Sequence, residues 1–435
     1  MSQLQEYKCP CCGGALAFDG TIQKMKCPFC DSEFDVDTLA AYDSALNNVP
    51  VDDMQWDTAG GADWEEGEDA GLRSYVCNSC GGEIIGDENT AGTTCPYCGN
   101  PVVMMEQFTG MLKPQYIVPF VLDKKAAKAS LARHLEGKKL LPNLFKTENH
   151  IDEIKGLYVP FWLFDAVADA DIRYEATQVR EWSSGDYDYK ETSYYMVKRA
   201  GTLGFANVAV DGSSKMPNDL MESLEPYSYA QMTDFKTPYL AGYLTDKYDV
   251  KAEDCVERAN ERIRRSTLQT FARTVMGYDS VNTESAAVRL NNAKAKYALM
   301  PVWILNTTWQ DQKFTFAMNG QTGRFVGNLP VDKGKAFRYN MLYFFIGAAI
   351  SYLLCWILSW LGVVFEDGPG VWGVVISLAI GLIVSLSAVG IMRAQMKSVD
   401  FRSEANDYII ENSLNLSVKD DVYLYKKTER TERSN

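Results

Sequence analysis

The chain has 435 residues and a net charge of −14, from 43 Lys and Arg against 57 Asp and Glu. That length suits two or three folded units, and the acidic balance argues against non-specific coating of nucleic acid, because phosphate affinity needs clustered cations. Eleven cysteines beside only two histidines, His134 and His150, limit His-based catalysis and point to thiol chemistry; in a reducing compartment that means metal or redox sites rather than disulfides.

Residues 1–7 carry no apolar core, so no signal peptide is expected. Two cysteine segments follow. The first reads Cys9-Pro10-Cys11-Cys12-Gly13-Gly14, then Cys27-Pro28-Phe29-Cys30; the second reads Cys77-Asn78-Ser79-Cys80-Gly81-Gly82, then Cys95-Pro96-Tyr97-Cys98. They superpose without a gap at an offset of 68, with four cysteines, Tyr7/Tyr75, Asp19/Asp87 and Pro28/Pro96 in register. Two residues between cysteines let a tight turn aim two sulfurs at one point, and two such turns on a β-hairpin make a closed four-thiolate site. So short a segment cannot bury a core, and metal supplies its folding energy. The spacing predicts two zinc ribbons, with Cys9, Cys12, Cys27 and Cys30 holding one structural Zn2+ and Cys77, Cys80, Cys95 and Cys98 the other. Cys11 matches Ser79 in the repeat, so it reads as a surplus thiol with no metal role.

Between the ribbons, residues 31–72 hold thirteen acids and no Lys, Arg or His, and their later part, 51–71, is predicted to be a disordered linker. Trp56 and Trp64 lie in it; a docking segment for a basic partner is the alternative to a solvated spacer. A strand is expected at 116–122, then a helix at 124–137 capped by Asp123, a strand from Leu157 toward Trp182, a turn at Ser183-Ser184-Gly185-Asp186 and a second strand at 192–200. A helix at about 252–276 carries Val256, Ile263 and Leu268 on its apolar face, and five arginines beside Glu253, Asp254, Glu257 and Glu261 read as an ion-paired or solvated surface. Strands follow at 297–309, 313–318 and 324–329. Pro160-Phe161-Trp162 returns as Pro301-Val302-Trp303, each after a strand and an acid-capped helix, which suggests a duplicated α+β unit with the Pro and Trp as core anchors.

Residues 339–365 contain no charge, and a second apolar run, 371–392, follows Glu366-Asp367-Gly368-Pro369-Gly370. About 20 apolar residues span a bilayer core, so both runs suffice, and the loop makes them an antiparallel hairpin. Lys333, Lys335 and Arg338 before it and Arg393, Lys397 and Arg402 after it place both chain ends in the cytoplasm. Short strands are expected in the tail, with a turn at Lys419-Asp420-Asp421 and a frayed end from Lys426.

The predicted chain is therefore multi-domain: zinc ribbon 1 at 7–34, an acidic linker at 35–74, zinc ribbon 2 at 75–103, a cytosolic α+β domain at 114–332, a transmembrane helical hairpin at 339–394 with spans at about 341–365 and 371–392, and a β-rich cytosolic tail at 395–435. No phosphate loop, nucleophile elbow or zinc-protease motif is present, no catalytic residue is assigned and the chain is read as a non-enzyme.

With Cys95-Pro96-Tyr97-Cys98-Gly99-Asn100-Pro101, Lys113-Pro114, Tyr116-Ile117-Val118-Pro119-Phe120, Gly156-Leu157-Tyr158-Val159-Pro160-Phe161-Trp162 and the hairpin, the sequence resembles bacterial, mostly Firmicutes, TFIIB-type zinc ribbon-containing membrane proteins. The resemblance implies a membrane-stress setting and a partner of the phage-shock protein A type or a companion membrane protein. The expected role is a membrane-anchored adaptor facing the cytosol. The alternative is a tethered nucleic-acid-binding ribbon protein, supported only by Lys8, Lys24 and Lys26, since ribbon 2 has no Lys or Arg from 76 to 103.

Overall fold

The computed structural model describes residues 7–10, 13–39, 51–69, 71–87, 94–105, 112–143, 145, 154–310, 312–362, 369–400 and 402–433. Cys11, Cys12, His150, Glu366 and Asp367 lie outside them. A separate sheet of β1 (Ala17–Asp19), β2 (Lys24–Lys26) and β3 (Glu33–Phe34) forms the first cysteine-rich segment. The second, β4 (Leu72–Val76), β5 (Glu83–Asp87) and β6 (Val103–Met105), belongs to the large sheet of the main domain.

The main domain is built twice over the same plan. Its first half runs β7 (Tyr116–Ile117), α1 (Lys124–Leu135), β8 (Lys155–Ser184) and β9 (Tyr187–Asp211). After α2 (Asn218–Leu224) and β10 (Thr233–Asp234), the second half runs β11 (Leu244–Asp246), α3 (Ala252–Ala272), β12 (Ser280–Trp309) and β13 (Gln312–Asn319), closed by β14 (Phe325–Val326). β8 and β12 are the antiparallel centre, and each takes the short strand of the other half as a parallel neighbour, β11 on β8 and β7 on β12.

The two halves match at the residues that anchor them. Trp162 Nε1–H donates to Val250 O and Trp303 Nε1–H to Leu122 O, both at 2.9 Å, so each tryptophan ties its own half to the other. Gly212 N–H donates to Pro160 O and Gly320 N–H to Pro301 O, both at 2.8 Å. Trp162 meets Tyr248, and Trp303 meets Phe120, in the same edge-on geometry. Pro160 and Pro301 sit where one flank of each long strand passes from the short parallel partner to the antiparallel hairpin partner. A residue without an N–H fits such a handover. The predicted duplication is thus present, with one difference: Asp123 caps α1 through Ala126 N, whereas α3 starts at Lys251 with no side-chain cap.

α3 packs its Cys255, Ala259, Ile263 and Phe271 face into the core. Its arginines are ion-paired. Arg258 bridges Asp211 (3.0 Å) and Glu222 (2.7 Å), and buried Arg262 pairs with Glu225 at 2.6 Å. Burial alone would penalise such charges, and the pairing with further hydrogen bonds to Ala209 O and Glu404 O offsets it.

Three expectations need correction. The stretch predicted to be a disordered linker is, over 51–69, an ordered strap along β12. Its backbone pairs with that strand at two points: Asp53 N–H donates to Val288 O and Asp57 N–H to Ala293 O, while Leu290 N–H and Ala295 N–H donate back to Asp53 O and Asp57 O. Trp56 Nε1–H donates to Asn260 Oδ1 (2.7 Å) and its ring meets Phe164; Trp64 meets Phe235. The acids find basic partners within the chain, Arg264 for Asp52 and Lys113 for Glu68. In the tail, Lys419-Asp420-Asp421 is no turn: β15 (Asn415–Glu432) is one strand paired with β9. The end from Lys426 is correspondingly ordered as far as Arg433, whose N–H donates to Asp186 O.

Two apolar helices, α4 (Lys333–Trp360) and α5 (Gly370–Ala394), are each long and apolar enough to cross a membrane, about 42 and 38 Å at 1.5 Å per residue. α4 ends short of the predicted 365. The helices pack through small residues: Gly373, Ser377, Gly381 and Ser385 form one buried stripe on α5, against Gly347 and Ser351. A Cβ at Gly381 would meet Phe344 O at 2.7 Å, so this contact requires glycine.

Candidate metal centres

Each described knuckle repeats one backbone pattern. The amide of the first cysteine donates to the carbonyl five residues on, and the amide four residues on donates back: Cys77 N to Gly82 O and Gly81 N to Cys77 O, Cys95 N to Asn100 O and Gly99 N to Cys95 O. Cys9/Gly14 and Cys27/Ser32 do the same. The chain turns back through a left-handed residue after the second cysteine, Gly81 at φ 67° and Gly99 at φ 76°. In the knuckle of Cys27 and Cys30 that residue is Asp31 at φ 57°, a conformation less favourable for a side chain than for glycine.

These turns bring Cys77, Cys80, Cys95 and Cys98 together, with all four sulfurs within 4.8 Å of one another. Cys77 Sγ lies 3.4 Å from Cys98 Sγ, and Cys80 Sγ 3.6 Å from Cys95 Sγ. Four thiolates 2.3 Å from a tetrahedral Zn2+ stand about 3.8 Å apart, so the cluster has the size and donor set of a closed four-thiolate site. Cys9, Cys27 and Cys30 converge likewise, Cys9 Sγ and Cys30 Sγ at 3.5 Å. Cys12, the predicted fourth ligand, is outside the described residues. Burial pushes the Cys95 thiol up, whereas hydrogen bonding with Ser32 holds Cys30 down to about 6. A bound cation favours the thiolate form of both.

The second segment is wedged into the main domain. β5 pairs antiparallel with β11, Ile84 opposite Asp246 and Ile85 opposite Thr245. Lys155 Nζ donates to Thr94 O, Lys215 Nζ to Cys80 O, and Lys247 pairs with Glu83 at 2.7 Å. Tyr97 packs on the main core with its hydroxyl enclosed beside Asp246. Burial raises the Asp246 carboxyl to about 7, although the Ser213 and Tyr97 hydroxyls pull it down.

The first segment has its own small core of Cys9, Cys27, Phe34 and Leu39 and leans on β15 by Phe34 against Tyr425, ring centroids 5.8 Å apart. Phe29, at the position of Tyr97, is 75% exposed, and Phe18 is exposed as well. The docking role of Tyr97 and Asp246 was not anticipated. The offset of 68 places Phe29 and Tyr97 together, and the phenol in one copy alone was the available sign that this copy meets a polar buried partner.

No family model matches the chain, and no solved structure matches it. The uncharacterized protein YdjG of Bacillus subtilis (strain 168) is 33% identical over 329 residues, 76% of this chain and 91% of the relative.

Proposed function

This chain belongs to the family of Bacillus subtilis YdjG, and from that premise we propose that it is a membrane-anchored adaptor whose first zinc ribbon receives a partner protein while its second is structural. The metal in both ribbons is zinc, α4 and α5 cross the cell membrane, and both chain ends face the cytosol. The partner is a peripheral protein of the phage-shock protein A type, as for TFIIB-type zinc ribbon membrane proteins.

One observation carries the reading. The same knuckle position is occupied by an aromatic that is docked in one copy, Tyr97, and 75% exposed in the other, Phe29. An aromatic at the tip of a rigid metal-held turn is a low-entropy contact for another protein. The nucleic-acid reading has less behind it, since Lys26, one of three basic residues in ribbon 1, faces Asp31 at 3.5 Å.

The test uses the purified full-length chain in detergent with a phage-shock protein A homologue from the same genome. Co-elution is expected for the wild type and is lost on Phe29→Ser with two zinc ions retained. Absence of binding, or binding indifferent to Phe29→Ser, overturns the proposal. A salt-sensitive shift of labelled DNA by the same protein would favour the alternative.

A further inference from the structure

We propose that the cleft between the loop after α1 and the first turns of α4 is a binding site for the headgroup of an anionic phospholipid; this rests on α4 and α5 crossing a bilayer. The loop is fixed to both apolar helices. Lys138 Nζ donates to Gln395 O at the end of α5 (2.6 Å), Lys335 Nζ donates to Leu141 O (2.6 Å) and Asn143 Oδ1 (2.7 Å), and Asp332 N donates to Leu140 O (2.9 Å). Between loop and helix lies a cavity of about 350 Å³ lined by Lys139, Lys335, Arg338, Tyr339 and Leu342, a size within the range of small-ligand sites.

The lining changes along α4 in the order a lipid requires. Lys335 and Arg338 stand at the helix start, where the charged chain gives way to the apolar run, and Lys139 lines the same cavity from the loop. Lys139 and Arg338 are exposed, and among the described residues neither forms an ion pair. The first turn of α4 holds no acid, and Asp332, just before it, caps the helix through Lys335 N at 2.9 Å. Next along α4, Tyr339 and Leu342 line the cavity, and Leu342, Phe345 and Ile346 continue from it as an exposed apolar stripe. A phosphodiester seated among the cations would lead its acyl chains along that stripe. A free phosphate would use the cations but leave the stripe bare, so the arrangement favours the lipid.

The experiment is native mass spectrometry of full-length protein extracted from vesicles of equimolar phosphatidylcholine and phosphatidylglycerol. Wild type is expected to retain phosphatidylglycerol preferentially. Lys139→Gln with Arg338→Gln leaves Lys335 and its hydrogen bonds in place and should weaken that preference about thirtyfold, roughly fivefold per cation. Lys124→Gln with Lys125→Gln, at the far end of α1, should leave it unchanged, and unaltered zinc content reports intact folding. Equal retention by wild type and the Lys139/Arg338 variant, or displacement of the lipid by free glycerol phosphate, overturns the proposal. Protein that does not float with vesicles of either composition overturns the membrane reading itself, and this site with it.

Discussion

The two cysteine segments are copies in sequence, yet they hold different places in the fold. The second lends β4, β5 and β6 to the main sheet and sets Tyr97 beside Asp246. The first keeps a sheet of its own, leans on β15 by Phe34 against Tyr425 and leaves Phe29 in solvent. A metal-held knuckle is thus a rigid mount whose use depends on what its tip residue meets. In one copy it meets the same chain, and in the other it stays in solvent.

The sharpest way to break this comparison is to remove one ribbon at a time. Cys77→Ser with Cys80→Ser should cost one metal ion and lower the main-domain melting temperature by several degrees or more, because a closed zinc site supplies on the order of 10 kcal/mol to its fold. Cys9→Ser with Cys30→Ser should cost one metal ion and leave that transition nearly unmoved. Elemental analysis with tryptophan fluorescence melts reads both.

A smaller effect comes from Asp246. The folded protein, with this carboxyl at about 7, binds its proton more tightly than the unfolded chain, whose value is about 3.9. Its contribution is therefore present below about pH 4 and lost as pH rises through about 7. Asp246→Asn should stabilise the protein at pH 8 by at most about 4 kcal/mol and change little at pH 4. A variant with the wild-type pH profile of melting would show that Asp246 is not the buried acid holding ribbon 2.

The tip residues themselves should differ. Tyr97→Ala should cost about 2–3 kcal/mol of main-domain stability, through lost packing, and Phe29→Ala less than about 0.5 kcal/mol; equal costs in denaturant titrations would erase the distinction. Asp31→Gly relieves a left-handed aspartate and should slow chelator stripping of ribbon 1 by a few-fold, about 1 kcal/mol.

Much of this was legible in the chain because its signals are local. Cysteine spacing set the knuckles, and the uncharged lengths around 339–392 set the two apolar helices. Pro160/Pro301 and Trp162/Trp303 marked the duplicated halves. What was not legible depends on long-range pairing. The stretch at 51–69 has no periodicity, and nothing local shows that Asp52 and Trp56 would meet Arg264 and Asn260 some two hundred residues on. Lys419-Asp420-Asp421 has turn chemistry, but β9 supplies a partner along its whole length, and Arg199 takes up Asp421 at 2.5 Å. Tertiary pairing overrode the local preference.

The division of labour between the ribbons is tested most directly by amide hydrogen exchange of the full-length protein during stepwise chelation. The account predicts that residues 13–34 lose protection with the first metal ion released, while residues 72–87 remain protected until the second leaves. Simultaneous loss of protection in both segments, or earlier loss at 72–87, would contradict it.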